Sequence, residues 1–156
     1  MIEIDIPGWR QLRLTTLVLD LNGTLALDGH PLPLHEAIAE LAERVDIRLL
    51  SADTYGTLDR VAAELGVTAM RLHPGGGESD QKAQAVRLMG AESVAAIGNG
   101  ANDVGMLELA ALSVVVLGDE GVATRALLAA DLVVGSADEA LDLLLHPSRL
   151  VATLRR

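Results

Sequence analysis

The sequence predicts an α/β fold: a three-layer sandwich with a mostly parallel central sheet, plus an N-terminal β-hairpin. Three observations carry that prediction. Short apolar runs alternate with helical patterns along nearly the whole chain, joined by short loops. The run Leu17-Val18-Leu19 is apolar on both faces, the mark of a buried central strand. Half of the 156 residues are apolar, enough to give one domain, spanning residues 1–156, a core of its own.

In order along the chain, Ile2, Ile4 and Ile6 alternate with acidic residues, as in a half-buried strand, and Pro7-Gly8 marks a turn. Residues 11–14 are suited to return as the hairpin partner. The strand Leu17-Val18-Leu19 follows and ends at Asp20. Leu34, Ala37, Ile38, Leu41 and Val45 share one helical face, with Pro33 suited to the first turn. Ile47-Arg48-Leu49-Leu50 predicts the next strand. Leu58, Val61, Ala62 and Leu65 predict the next helix, stopped by Gly66. A strand at 68–72, a glycine-rich loop at 73–77, a helix over about 80–89 and the strand Val94-Ala95-Ala96-Ile97 come next. Then follow a helix at about 103–111, a strand at 113–117, a helix at about 122–130 and a short strand at 131–134. Ser136 and Glu139 match a capping box for a helix through Leu145, which Pro147 ends. A further turn or two of helix fits before Arg156.

Composition removes several function classes. Trp9 and Tyr55 are the only aromatics, and the formal charge is −10, so there is no stacking platform for bases and a phosphate backbone is repelled. Nucleic acid is not an expected partner. No cysteine means no disulfide, thiol chemistry or cysteine-based zinc site, which fits a cytoplasmic setting. The N-terminus lacks a signal peptide's basic start and apolar stretch. The most apolar run, around 112–117, is far short of the roughly 20 residues of a membrane span, so no membrane partner is expected.

In parallel sheets ligands bind at the carboxyl ends of the strands, near the switch in strand order. The residues ending these strands are Asp20, Ser51 and Gly98-Asn99, the last followed by Gly100, Asn102 and Asp103. A carboxylate in a Gly-Thr turn, a hydroxyl and an Asn/Asp pair make a fair phosphate and metal site. An aspartate can act as nucleophile to form an acyl phosphate. The Gly23 turn is suited to present backbone N–H groups to an anion. A hard cation such as Mg²⁺ takes oxygen ligands and neutralises phosphate charge. Lys82 is the one lysine, every other basic side chain being Arg, and a compact point charge beside a phosphoryl group favours Lys. Asp53 is placed to cap the following helix. His30, His35, His73 and His146 have no metal-like spacing.

Asp20-Leu21-Asn22-Gly23-Thr24, Leu50-Ser51-Ala52-Asp53, Lys82 and Gly98-Asn99-Gly100-Ala101-Asn102-Asp103 resemble, in order, the four motifs of the haloacid dehalogenase (HAD) superfamily. Within it the chain is most similar to the capless, soluble P-type ATPase-like group. The resemblance implies a Rossmann-like domain and an Mg²⁺-dependent phosphatase or phosphotransferase. It makes Asp20 the nucleophile and a metal ligand, and has Asn22 offer its backbone carbonyl to the metal. Thr24, Ser51, Ala52, Lys82 and Asn102 would meet the phosphate, with Lys82 also steadying the charge on Asp20. Asn99 and Asp103 would complete the metal side.

Two residues depart from the family pattern. Asn22 stands where an aspartate usually gives and takes the leaving-group proton, so general acid–base help of roughly 10²–10⁴-fold is weakened. Asn99 stands where a metal-binding aspartate is usual, so weaker Mg²⁺ binding is expected unless Asp103 takes over. The leading expectation is a hydrolase acting through phospho-Asp20 on a phosphorylated substrate. The alternative is a catalytically degenerate, regulatory phosphate- or metal-binding module; a third is a structural subunit. No segment is long enough for an inserted cap, so an open site is expected, which means either a large or macromolecular substrate or a neighbouring subunit that covers it; a homo-oligomer is expected.

Overall fold

The computed structural model describes residues 1–156. The first hairpin forms as its alternation predicts: β1 (Ile2–Ile6) pairs antiparallel with β2 (Arg10–Leu14), burying Ile2, Ile4, Ile6, Leu12 and Leu14 on one face. The central strand, β3 (Thr16–Asp20), is buried at every position. After it comes a small hairpin, β4 (Ala26–Leu27) and β5 (His30–Pro31), joined by Asp28-Gly29 with φ of 50° and 79°. Positive φ at both central residues is the type I′ arrangement, and Asp-Gly is its usual pair.

The remainder is α1 (His35–Ala42), β6 (Asp46–Ser51), α2 (Leu58–Leu65), β7 (Thr68–Arg71), α3 (Glu78–Leu88) and β8 (Val94–Gly98). Next come α4 (Val104–Leu109), β9 (Leu112–Val116), α5 (Thr124–Ala129), β10 (Leu132–Val134), α6 (Ala137–Leu145) and α7 (Pro147–Leu154). Short 3₁₀ turns occupy Ala91–Ser93 and Ala101–Asp103. The main sheet has six parallel strands in the order β10-β9-β8-β3-β6-β7. The chain winds outward from β3 to β6 and β7, then returns to the other side for β8, β9 and β10. The switch in direction falls between β3 and β8, and places the carboxyl ends of β3, β6, β8 and β9 along one edge.

Alternation along β3 builds two cores. Leu17 and Leu19 join α1, α2, α6, α7 and the first hairpin in one layer. Val18 faces the other, with Val86 of α3, Met106 and Leu107 of α4 and Ala126 of α5. No helix is long and apolar enough to cross a membrane.

Some element boundaries differ from expectation, for local reasons. α1 ends at Ala42 rather than carrying Val45, because Arg44 and Val45 both turn their N–H onto Leu41 O. Pro33 lies just outside α1 rather than in its first turn. α3 starts at Glu78, two residues early, directly after Gly77 in a left-handed conformation. Pro147 does more than end α6: it opens α7, where its missing N–H costs nothing. The capping box of α6 is present, with Ser136 Oγ accepting from Glu139 N at 3.2 Å. The β4–β5 hairpin was not expected, although Asp28-Gly29 is the local signal for it.

Candidate active site

Asp20 ends β3 with its side chain buried, the residue being 4 % exposed. Its Oδ1 accepts from Lys82 Nζ, and the same ammonium donates to Asp103 Oδ1. Lys82 reaches this point from α3 and is 0 % exposed, which excludes an ordinary surface lysine. Asp103 has no exposure either. Its Oδ2 accepts from the backbone N–H groups of Asn99 at 2.9 Å and Gly100 at 2.8 Å, closing the turn after β8. Asp103 thus faces Lys82 and the backbone, and its oxygens do not turn toward the cleft described below.

One ammonium therefore serves two carboxylates in a buried cluster that keeps an excess negative charge. Asp103 has two N–H donors in compensation; Asp20 is the under-compensated member. Burial, then repulsion from Asp103, raise the Asp20 carboxyl to about 7 against the pull of Lys82. Burial works against the Lys82 cation, but Asp20 and Asp103 outweigh it and hold its pKa above the usual lysine range. Such a site gains from a cation beside Asp20.

The turn after Asp20 is tightly bonded. Gly23 N donates to Ala26 O at 2.7 Å and Thr24 N to Leu21 O at 3.3 Å, so these groups are not free for an anion as the Gly-Thr turn suggested. The N–H groups of Asn22 and Ala52 make no backbone hydrogen bond. Thr24, 1 % exposed, points its hydroxyl at Asn99 Oδ1, 3.4 Å away. Ser51 Oγ accepts from Asp53 N at 2.9 Å and lies 3.5 Å from Asn22 Nδ2. Asn22 Oδ1 is buried without a partner. Asp53 itself turns away, accepting from Thr57 N and Leu58 N at 2.7 and 2.8 Å and pairing with Arg71. Asn102 is exposed at the rim.

Beside Asn22 a polar cleft of about 490 Å³ is lined by Asn99, Asn102, Glu120 and Gly121, among others. Gly23, at φ 79°, leaves room at its head: a Cβ there would fall 2.5 Å from Asn99 Nδ2 and 2.7 Å from Glu120 Oε2. The β4–β5 tip meets two loops. Asp28 N lies 3.5 Å from Glu120 Oε1, and a Cβ on Gly29 would sit 3.3 Å from Tyr55. Glu120 follows the carboxyl end of β9, and that strand-end position was its only signal in the sequence.

No three His, Cys, Asp or Glu side chains converge on one point. The oxygen donors near the cleft are the Asp20 and Glu120 carboxylates and the Asn22 carbonyl, while the Asn99 amide turns Oδ1 to the Thr24 hydroxyl and Nδ2 to Gly121 O. Mg²⁺ keeps several waters and uses only one or two carboxylates, so this set fits it.

The fold has close counterparts among solved structures. The cobalt-bound deoxy-D-mannose-octulosonate 8-phosphate phosphatase of Haemophilus influenzae matches with a TM-score of 0.69, at 17 % identity, over 92 % of this chain and 94 % of that one. The 3-deoxy-D-manno-octulosonate 8-phosphate phosphatase of Moraxella catarrhalis, in complex with magnesium, phosphate and KDO, gives 0.66 at 16 % identity over 91 % and 94 %. A Streptomyces avermitilis protein described as a HAD family hydrolase gives 0.63 at 21 % identity over 91 % and 84 %. The chain has the haloacid dehalogenase fold. In that fold the Asp20, Ser51, Lys82 and Asn99–Asp103 motifs arrive from four separate segments at one sheet edge. No family model matches the sequence. A 64-residue stretch, 41 % of this chain, is 47 % identical to the uncharacterized protein MJ0073 of Methanocaldococcus jannaschii and covers 69 % of it. The chain belongs to the same family as that protein.

Proposed function

We propose that this protein is an Mg²⁺-dependent phosphatase or phosphotransferase that works through an aspartyl phosphate on Asp20. One observation carries the reading: Asp20 sits buried at the end of β3, fixed by the lone lysine, which Asp103 fixes in turn. A carboxylate in a structural ion pair needs only one partner; here the second carboxylate leaves Asp20 charge-rich and nucleophilic. The haloacid dehalogenase fold, shared with phosphatases of known substrate, supports the same chemistry by analogy.

In this mechanism the Asp20 carboxylate attacks phosphorus, the bond to the leaving oxygen breaks, and the phosphoryl group rests on Asp20 until water or an acceptor takes it. Lys82 spreads the charge shared by Asp20 and the phosphoryl oxygens. Ser51 Oγ and the Ala52 N–H are suited to those oxygens, with Asn102 at the rim. Thr24 orients Asn99. Asp20, the Asn22 carbonyl and Asn99 would hold Mg²⁺, which when bound neutralises phosphate charge. Asp103 acts through Lys82.

The test is intact-mass measurement after incubation with Mg²⁺ and acetyl phosphate. Wild type is expected to gain one phosphoryl group and Asp20→Asn none; equal labelling of the two would remove Asp20 as the nucleophile.

A second reading, a regulatory module that binds phosphate without turnover, is favoured by Asn22. Its side chain offers no titratable oxygen beside Asp20, and its Oδ1 has no partner. Under that reading wild type is stabilised thermally by BeF₃⁻ yet turns over no phosphomonoester, and Asn22→Asp produces hydrolysis. Under the first, Asn22→Asp speeds a rate that wild type already has.

A further inference from the structure

Glu120 belongs to none of the four sequence motifs, yet it is the only ionisable side chain lining the 490 Å³ cleft beside Asn22 and Asn99. We propose that Glu120 supplies, on the metal side of the site, the carboxylate that position 99 lacks, ligating the divalent cation directly or through one water. The proposal rests on the reading of Asp20 as a phosphoryl acceptor that works beside Mg²⁺.

Three features lead to it. Glu120 and Asn99 converge: Oε2 of one and Nδ2 of the other both lie within 2.7 Å of the point a Cβ on Gly23 would occupy. The glycine, three residues after Asp20, clears that space, and any side chain would fill it. Asn99, secondly, is bonded in a way an aspartate cannot reproduce. Its Nδ2 donates to Gly121 O at 3.2 Å. An aspartate at 99 would set a carboxylate against the Gly121 carbonyl, oxygen to oxygen. The amide instead ties down the loop from which Glu120 projects, so the charge lost at one residue returns through the loop that this residue holds.

Third, Glu120 has no cationic partner. The one hydrogen bond it accepts comes from the Asp28 N–H at a marginal 3.5 Å, and no salt bridge includes it. A carboxylate facing a polar cleft beside an already charge-rich Asp20 is costly for two anions and well matched to a hard dication. Two carboxylates plus neutral oxygens are also the donor set that Mg²⁺ and Mn²⁺ accept.

Mn²⁺ alone is the probe, with the free ion followed by electron paramagnetic resonance during titration of the full chain. Wild type, Glu120→Gln, Asp20→Asn and the control Glu108→Gln, an exposed position on α4, are compared. Glu120→Gln is expected to weaken Mn²⁺ binding by about 10–100-fold. Glu108→Gln should leave it unchanged, which separates a local ligand from the protein's overall negative charge. The metal-free thermal midpoint of Glu120→Gln should equal that of wild type, while its rise with Mn²⁺ shrinks. If Glu120→Gln binds Mn²⁺ like wild type and Asp20→Asn does not, the role of Glu120 is overturned and the reading of Asp20 stands. If wild type itself binds no Mn²⁺, both fail together.

Discussion

Lys82 spends the full length of its side chain inside the protein, and its ammonium meets Asp20 and Asp103, residues 62 and 21 positions away. Desolvating a cation is tolerable only because both carboxylates are held in place for it, Asp103 by two backbone N–H groups. Replacing Lys82 by Met keeps the volume and removes the charge, leaving two buried carboxylates facing each other. A loss of about 3–5 kcal/mol in urea unfolding is expected. Adding Asp20→Asn to that variant should return part of the loss, since one unpaired charge disappears. A Lys82→Met protein as stable as wild type would mean that the cluster is not held by charge. The importance of this residue was legible because it is the only lysine in the chain. Its pairing with Asp103 was not, since nothing local to either residue encodes it.

At the scale of elements, α2 and α3 place the chemistry. Asp53, at φ 58°, caps α2 through Thr57 N and Leu58 N and pairs with Arg71. Burial raises its pKa, but the Leu58 N–H, Arg71 and the Thr57 N–H outweigh burial and lower it overall. A carboxyl whose folded pKa lies below its unfolded value of about 3.9 stabilises the fold above that value. That contribution is lost as pH falls through the depressed folded pKa. Asp53→Asn accepts the same left-handed backbone and keeps an oxygen for the cap, so it isolates the charge. It is expected to cost about 0.3–1 kcal/mol at pH 7, with the gap to wild type closing as pH drops below about 3.9, read by urea midpoints across that range.

The contact between α3 and α4 depends on Gly105. Its N–H donates to Ser79 Oγ at 3.0 Å, and a Cβ there would fall 2.5 Å from Ser79 O, a backbone atom that cannot swing aside. Gly105→Ala should cost about 1–3 kcal/mol by overpacking. Because α3 carries Lys82, it should also lower the rate at which the folded protein is phosphorylated. Unchanged labelling of the folded fraction by acetyl phosphate would show that α3 tolerates the shift. The elements themselves were largely legible. Periodicity located β1, β3, β6, β8 and α2, and the capping box located α6, because each signal lies within one or two turns of chain. The β4–β5 hairpin escaped because its strands are too short for any periodicity, leaving the Asp28-Gly29 turn as the whole signal.

The whole molecule divides into two cores and one reactive edge. Leu150 on α7 packs with the first hairpin, on the far side of the layer from Asp20, and is fully buried. Leu150→Ala is expected to cost about 2–5 kcal/mol in urea unfolding. It should leave phosphorylation of the folded protein unchanged, since sites that share no partner behave additively. A matching fall in the rate per folded molecule would reveal coupling between the two ends of the sheet. The sequence by itself determined the six strands of the main sheet and the first hairpin, and that Asp20, Ser51 and Asn99 stand at strand ends, because alternation and capping are written in neighbouring residues. The tertiary structure alone decided which of those ends meet. It turned Asp103 toward Lys82 rather than the cleft, and it brought Glu120 from the β9 loop over Gly23. The physical reason is that strand order is chosen by the burial of two faces of a sheet at once. Side by side in that sheet, β3, β8 and β9 bring together residues that are a hundred positions apart in the chain, as Asp20 and Glu120 are.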